Sequence, residues 1–384
     1  MKQPLGPALW RFTAIAVLAG CASQTASIPP QPSGGASRNT QEHAKSSTEY
    51  LYVENNNSTI SVFAVAASGE LTEIAGSPFD SQTSGPAEFS ITIDDKGPYL
   101  YVSGTASGNI AVFSIGGDGA LTSVSTSTNV GLGASYMLLP KGGQRLYALD
   151  SVSGGEVDAF NITGKGRKLK AVKSSPYAVT CPGFCESNPT AAVAEGAYLY
   201  TVDTYGWYVS SFSIAPNGSL TELNSYPTGY GPSAAVLTPK GSYLYVTDGA
   251  QANVTAYQVA KGVLTPLSGS PFSTGGTPLG IAITPDGKYV YVANSGDATV
   301  SGYAVAAGGA LRALSGSPFA DGSGTGPTAL IVDKSGTRLF VTNSDTENIG
   351  VFQIKTNGAL SQVANSPFAE SGATGPKGLA IYQP

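Results

Sequence analysis

The chain has 384 residues, a formal net charge of −5 and charged side chains at only 12% of its positions. That balance excludes the basic surface on which nucleic-acid binding depends. Its 49 glycines and 25 prolines are spread between short apolar segments, which is typical of a single large all-β domain with many turns.

Residues 1–20 have the features of an export signal. A start with two basic residues is followed by a short apolar run at 12–18, which is too short to span a bilayer as a helix. The run ends in Leu18-Ala19-Gly20-Cys21, which resembles a bacterial lipobox. The resemblance implies lipid attachment at Cys21 and cleavage before it. An ordinary signal peptide with an incidental cysteine is the alternative.

Residues 21–48 are predicted to form a flexible tether, because they are rich in Ser, Pro, Gln, Gly and Thr and contain few large apolar residues. Lipid chains on Cys21 would hold the protein at a membrane. The residue after the cysteine is Ala22 and not aspartate, which resembles the default signal for sorting to the outer membrane. We therefore expect a lipoprotein of the bacterial cell envelope, on the periplasmic side or at the surface. The only histidine, His43, lies in this tether, where it is expected to be solvated and inert.

From residue 49 onward the sequence repeats one phrase, stated most plainly at 278–294. Alternating apolar residues are followed by the turn Pro285-Asp286-Gly287 and then by an aromatic and β-branched strand. The second aromatic residue of this phrase recurs at intervals of 45 to 53 residues, at Tyr52, Tyr101, Tyr147, Tyr200, Tyr245, Tyr291 and Phe340. A period of about 40–50 residues with several short strands indicates a β-propeller, and seven copies predict seven blades.

Each repeat carries two more predicted strands, so the blades are expected to be four-stranded. The order of strands at the two ends of the repeat region is informative. The region begins with a second strand, Tyr50 to Val53, and ends with a first strand, Pro376 to Tyr382. We expect the two to pair, because that closes the ring and removes an unpaired sheet edge. The prediction is an all-β, seven-bladed propeller over residues 49–384, closed by its C-terminal strand.

Cys181 and Cys185 form a close pair around a Pro-Gly turn. In an exported chain such a pair is expected to form a local disulfide. A metal site is the alternative, but no histidine or third cysteine is available to complete it. No metal and no cofactor are expected.

The loops that leave each second strand and those that enter each first strand should share one rim of the propeller. Six of the seven loops after the second strand begin with Asx: Asn55, Asp150, Asp203, Asp248, Asn294 and Asn343. A ring of Asx could bind a cation, but Asx side chains also bond their own backbone at strand ends, and we favour that interpretation. Glu88 and Lys377 each begin a first strand in neighbouring blades. Glu88 is the one candidate catalytic residue, and a surface ion pair without consequence is the alternative.

Aromatic residues concentrate in the rim loops around the fourth repeat, at 176–188, 203–208 and 225–232. The candidates for ligand binding are Tyr177, Tyr205, Trp207, Tyr208 and Tyr230, with Phe184 and Tyr226 nearby. Exposed rings on loops suit stacking on sugars or contact with a peptide. The alternative is that these rings only pack their own loops.

The repeat resembles the seven-bladed lactonase family, which includes 6-phosphogluconolactonase-like proteins, and the phrase Phe340-Val341-Thr342-Asn343 is similar to the Tyr-Val-Thr-Asn repeat. The resemblance implies a lactone hydrolase acting at the propeller mouth, with histidine, arginine and glutamate as catalytic groups. The repeat region contains no histidine, and its arginines are Arg145, Arg167, Arg312 and Arg338. No catalytic residue of the family can therefore be carried over.

Two functions remain open from the sequence. The first is an envelope scaffold, a monomer that binds a glycan, a small molecule or a protein partner at its rim. The second is a lactonase-type hydrolase. The missing histidine favours the scaffold, and the family resemblance favours the hydrolase.

Overall fold

The computed structural model describes residues 48–83, 89–104, 107–127, 133–151, 154–165, 167–182, 187–322, 324–372 and 374–384. These residues form seven antiparallel sheets arranged as the blades of a propeller. The predicted fold, an all-β seven-bladed propeller with four-stranded blades, is confirmed. Within the described part of the chain, no helix has the length and apolarity needed to cross a bilayer.

The innermost strand of each blade lies next to the central channel, and in five of the seven blades it begins with proline. Proline is tolerated at the first position of a strand, where its missing N–H costs no ladder bond. In the order of blades 1 to 7, the innermost strands are Pro376–Tyr382, Phe89–Ile93, Ala134–Leu138, Pro189–Glu195, Pro232–Leu237, Pro278–Ile283 and Pro327–Val332.

The second strands carry the aromatic residue that marks the repeat. They are Glu49–Asn55, Tyr99–Gly104, Arg145–Asp150, Tyr198–Asp203, Tyr243–Asp248, Tyr289–Asn294 and Arg338–Asn343. The third strands are Thr59–Val65, Asn109–Ile115, Glu156–Thr163, Tyr208–Ile214, Asn253–Ala260, Thr299–Val305 and Asn348–Ile354.

The outermost strand is continuous in blades 2 and 4, as Leu121–Ser127 and Leu220–Pro227. In the other five blades it is split into two short pieces that pair with the same third strand. These pieces are Leu71–Glu73 with Phe79–Asp80, Lys168–Ala171 with Tyr177–Ala178, Val263–Pro266 with Phe272–Ser273, Leu311–Ala313 with Phe319–Ala320, and Leu360–Gln362 with Phe368–Ala369.

The repeated tyrosine and the repeated glycine are physically linked. Tyr245 is fully buried, and its hydroxyl donates to the carbonyl of Gly309 in the next blade at 2.7 Å. Gly309 has a φ of +86° and lies against Tyr243, whose ring would be 2.4 Å from an added Cβ. A side chain at 309 would therefore be both strained and obstructed. The same tyrosine-to-glycine bond joins other neighbouring blades, which explains why both residues recur.

The ring closes as expected. The strand Pro376–Tyr382 pairs antiparallel with Glu49–Asn55, with Tyr52 opposite Ala380 and Val53 opposite Leu379. Strands from both ends of the propeller thus complete blade 1, and the register shifts between Glu54 and Asn55. Such a β-bulge bends the strand at the rim, where it can redirect a side chain.

Candidate functional site

The junction between blades 1 and 2 contains a buried carboxyl group without a partner. Glu54 lies near the rim end of its strand, and its exposed fraction is 0%. Among the described residues, neither of its carboxyl oxygens has a hydrogen-bond partner. A buried carboxyl in this state is costly, so its retention requires an explanation.

The space around this carboxyl depends on a glycine. Gly378 lies opposite Glu54 in the sheet, and a Cβ at Gly378 would be 2.8 Å from Glu54 Oε2 and 2.9 Å from Ile91 Cγ2. The carboxyl therefore lies over the innermost strand of blade 1 and faces the innermost strand of blade 2. This places it between the two strands that border the channel.

Burial raises the pKa of Glu54 well above its ordinary value, and the positive charge of Lys377 partly opposes that shift. The carboxyl is consequently neutral over a wider pH range than an exposed one and can donate a proton. Lys377 is half-buried at the start of the innermost strand. None of the four ion pairs among the described residues includes it.

Blade 1 departs from the repeat at both of these positions. The residues that correspond to Glu54 in blades 2 to 7 are Ser103, Leu149, Val202, Thr247, Ala293 and Thr342. Where a hydroxyl stands there it is fully bonded: Thr247 accepts from the N–H of Ala234 at 3.0 Å and lies 2.8 Å from the hydroxyl of Ser233. The residues that correspond to Lys377 in blades 3, 4, 5 and 7 are Ser135, Thr190, Ser233 and Thr328.

Sequence reasoning missed Glu54, because it directly follows the apolar and aromatic run Tyr50 to Val53 of its strand. The signal that could have found it is the comparison of equivalent positions across the seven repeats, where it is the only charged residue. Glu88, the predicted catalytic candidate, lies outside the described residues, so its predicted pairing with Lys377 stays a prediction.

Arg167 and Arg338 join neighbouring blades and do not build a rim site. Arg167 replaces the repeated glycine, donates to the Tyr101 hydroxyl at 2.8 Å and pairs with buried Asp94. Arg338 pairs with Glu49 at 3.3 Å. These contacts account for Arg167 and Arg338 without a role for either side chain in catalysis.

The Asx residues at the ends of the second strands hold the rim loops. Asp203 accepts hydrogen bonds from Ser187 Oγ at 2.5 Å, the Asn188 N–H at 2.9 Å and the Gly206 N–H at 2.7 Å. Asn294 donates to Ser301 Oγ at 2.8 Å. Among the described residues, no group of three or more His, Cys, Asp or Glu side chains could hold a metal ion. The geometry therefore supports the structural interpretation of the Asx ring.

Three of the predicted aromatic residues line one pocket at the junction between blades 4 and 5. Trp207, Tyr208 and Tyr230 surround it, together with Gln251 and the segment 227–229, and its volume is about 420 Å³. Trp207 and Tyr230 are 45% and 50% exposed. Their ring centroids are 4.3 Å apart at an interplanar angle of 89°. Tyr205, in the same turn, is 44% exposed.

Tyr177 is placed apart from that pocket. It is partly buried against the core cluster that includes Tyr200 and Phe212, and its hydroxyl donates to the carbonyl of Lys173 at 2.9 Å. The reason is visible in the sequence: Ser175-Pro176-Tyr177 is the third blade's copy of the Ser-Pro-Phe motif, and its ring packs against the hydrophobic core shared with blade 4.

The segment around Cys181 approaches the pocket from blade 3. The Tyr208 hydroxyl lies 3.3 Å from Cys181 Sγ and donates to the carbonyl of Pro182 at 3.3 Å. Cys185 and Phe184 lie outside the described residues, as do residues 1–47 with Cys21. The Cys181–Cys185 disulfide and the lipidation therefore stay predictions.

Comparisons with known proteins agree with this architecture. The family described as "Lactonase, 7-bladed beta-propeller" matches residues 19–133 and 190–374. A 6-phosphogluconolactonase of Erwinia tasmaniensis is 25% identical over 189 residues, which cover 47% of this chain and 56% of that protein. The chain thus spans about half the length of this curated relative.

Two solved structures share the fold. One is a Bacteroides fragilis protein described as a 6-phosphogluconolactonase candidate, with a TM-score of 0.74, 20% identity, and coverage of 89% of this chain and 100% of that one. The other is the periplasmic gluconolactonase of Pseudomonas aeruginosa, with a TM-score of 0.70, 19% identity, and coverage of 88% and 100%. At these identities the likeness shows the fold alone.

Proposed function

The chain belongs to the lactonase family of seven-bladed β-propellers, and on that premise we propose that it hydrolyses a sugar lactone at the junction between blades 1 and 2. The observation that carries the proposal is the buried, unpartnered carboxyl of Glu54 next to Lys377 at the channel end of these blades. With Glu54 and Lys377 as the catalytic pair, lactone hydrolysis by this chain does not require a histidine.

The chemistry of lactone opening matches this pair. Water adds to the ring carbonyl, the bond between the carbonyl carbon and the ring oxygen breaks, and the departing oxygen needs a proton. The protonated carboxyl of Glu54 donates that proton, and the proton released by the attacking water restores it. The ammonium of Lys377 stabilises the negative charge that develops on the carbonyl oxygen. The carboxylic acid product then loses its proton to the solvent, which is the acid that the assay detects.

The substrate class follows from the relatives. The relative from Erwinia is named a 6-phosphogluconolactonase, and the structure from Pseudomonas is a gluconolactonase. We therefore propose a gluconolactone or its 6-phosphate as the substrate. The exported location expected from Leu18 to Cys21 favours the unphosphorylated lactone, because Lys377 alone offers little charge to a phosphate.

The export prediction forms part of this proposal. Lipid attachment at Cys21 would place a lactone hydrolase at a membrane of the cell envelope, as a monomer on a tether. Metabolic labelling with a radioactive fatty acid tests it. The wild-type chain should be labelled and a Cys21→Ala variant should not, and an unlabelled wild-type chain would overturn the anchor.

The activity itself is tested by acid release from glucono-1,5-lactone and its 6-phosphate, with spontaneous opening subtracted. The wild-type protein should show saturable hydrolysis, and Glu54→Gln should lower kcat by a factor on the order of 100, the usual contribution of a general acid. Lys377→Met should lower kcat/KM. Glu70→Gln, which changes an exposed glutamate, is the matched control. Absence of wild-type hydrolysis, or full activity of Glu54→Gln, would overturn the proposal.

A further inference from the structure

We propose that the pocket formed by Trp207, Tyr208, Tyr230 and Gln251 is a second binding site, which takes a neutral saccharide. It lies on the same rim as Glu54 but three blades away in a ring of seven. The two sites are therefore nearly opposite each other across the channel mouth. No step of the lactone chemistry uses it.

The aromatic rings of this pocket are exposed to solvent. The large apolar side chains that are exposed in the described part of the chain are Tyr205, Trp207, Leu223, Tyr230 and Val263. Three of the five belong to this pocket or to its adjoining turn. Exposed aromatic surface of this kind, concentrated at one place on a loop rim, marks a binding site.

The backbone that carries the rings is held by hydrogen bonds before any ligand arrives. The backbone N–H of Trp207 donates to the backbone carbonyl of Asp203 at 3.0 Å, and the backbone N–H of Thr228 donates to the Trp207 carbonyl at 2.8 Å. The Ala250 N–H donates to the Tyr230 carbonyl at 3.2 Å. A ligand therefore does not have to order these loops, which lowers the cost of binding.

Trp207 is held in a backbone conformation that bulky residues rarely adopt. Its φ is +63°, in the left-handed region, which costs a non-glycine residue roughly 1 kcal/mol. The turn nevertheless has tryptophan here, with its indole partly exposed. The equivalent turn positions of other blades, among them Ser58, Ala252 and Ala298, also have a positive φ, so the conformation belongs to the repeat and only the exposed indole is particular to blade 4.

The lining of the pocket indicates the chemistry of the ligand. Its residues are Gly206, Trp207, Tyr208, Pro227, Thr228, Gly229, Tyr230 and Gln251, and none of them is charged. The polar groups are an amide, three hydroxyls, an indole N–H and backbone groups. A pyranose ring with equatorial hydroxyls presents C–H groups to an aromatic face and hydroxyls at its edge, so it satisfies both kinds of surface. The pocket, of about 420 Å³, is open to solvent, so a longer saccharide can extend from it.

The pocket is tested by fluorescence of the full chain carrying Trp10→Phe, because Trp207 is then its only tryptophan. The probes are cellohexaose and chitohexaose. We expect a saturable change in Trp207 emission. Tyr230→Ala should weaken binding at least tenfold, whereas Leu223→Ala, which removes an exposed apolar side chain from an outer strand, should leave it unchanged.

A flat response to both saccharides, equal binding by the Tyr230→Ala variant, or binding of a proline decapeptide with no binding of saccharide would each overturn the inference. Two variants distinguish the two sites when each is assayed for lactone hydrolysis and, by calorimetry, for saccharide binding. Trp207→Ala should lose saccharide binding and keep lactone hydrolysis, and Glu54→Gln should do the reverse. Failure of the lactonase proposal therefore leaves this one testable.

Discussion

The junctions between blades 1 and 2 and between blades 4 and 5 have the same backbone plan, yet they present opposite surfaces. At each, the end of a second strand meets the beginning of the next blade's innermost strand. The first junction buries the carboxyl of Glu54. The second exposes the rings of Trp207 and Tyr230. The repeat thus supplies a common support, and each junction differs through a few side chains.

Two acidic residues make the contrast concrete. Asp248 of blade 5 accepts from Thr255 Oγ1 at 2.6 Å and from the Gly229 N–H at 3.0 Å, and burial raises its pKa to about 6. Glu54 has no such donors among the described residues. The carboxyl of Asp248 therefore stabilises a loop, whereas that of Glu54 makes no hydrogen bond that would give it such a role.

The largest effect is expected from filling the space over the blade 1 strand. Gly378→Val would place methyl groups against Glu54 Oε2 and Ile91. Overpacking of this kind should lower the free energy of unfolding by about 2 kcal/mol and abolish lactone hydrolysis. Gly117→Ala is the control, since nothing lies within 4 Å of its added Cβ. Thermal unfolding and acid release measure both, and an active, stable Gly378→Val would contradict the placement of Glu54.

Removing the hydrogen-bonded carboxylate of Asp248 should affect the junction between blades 4 and 5. Asp248→Ala leaves the Gly229 N–H and the Thr255 hydroxyl without their acceptor, which should cost about 1–2 kcal/mol of unfolding free energy. The loop before Tyr230 should loosen, so affinity for chitohexaose should fall while lactone hydrolysis persists. Asp248→Asn, which keeps an acceptor oxygen, is the matched variant. If Asp248→Ala binds chitohexaose normally, the loop does not depend on this carboxylate.

Glu54 should also give stability a dependence on pH. Its pKa in the folded protein is raised above the ordinary value of 4.5, so the folded state holds the proton more tightly than the unfolded state. Stability from this group is complete below about pH 4.5 and is lost as the pH rises through the folded-state pKa. The Tm of Glu54→Gln minus that of the wild type should therefore increase between pH 4 and pH 8. A constant difference would show that the carboxyl is not buried.

The smallest effect is expected at Tyr205. It is exposed and adjoins the pocket, but it does not line it. Tyr205→Ala should change the unfolding free energy by less than about 0.5 kcal/mol and the affinity for chitohexaose by less than twofold. A tenfold loss, measured by Trp207 fluorescence, would extend the saccharide site to this side chain.

The fold was predictable because its causes are local and repeated. Turns such as Pro285-Asp286-Gly287, and tyrosines such as Tyr245 that bind a glycine carbonyl in the next blade, recur in sequence with their physical reasons. The pairing of Pro376–Tyr382 with the first strand followed from the order of strands alone.

The site was predictable only in part. Trp207, Tyr208 and Tyr230 were expected to be neighbours because their loops share a rim, and they line one pocket. Tyr177 was grouped with them because its loop, 176–188, was expected on the same rim, but its ring packs against the core. Glu54 was not foreseen, because its importance depends on burial between two blades and on the space over Gly378, which one strand's sequence does not reveal.

Blade 1 combines the second strand of the first repeat with the innermost strand of the last. Glu54 comes from one and Lys377 from the other, so the proposed acid and its cation meet only once the circle is complete. In a chain whose ring has not closed, Glu54 and Lys377 are separated and cannot act together. Lactone hydrolysis would then report that the ring has closed, because only the closed propeller brings the two proposed catalytic residues together.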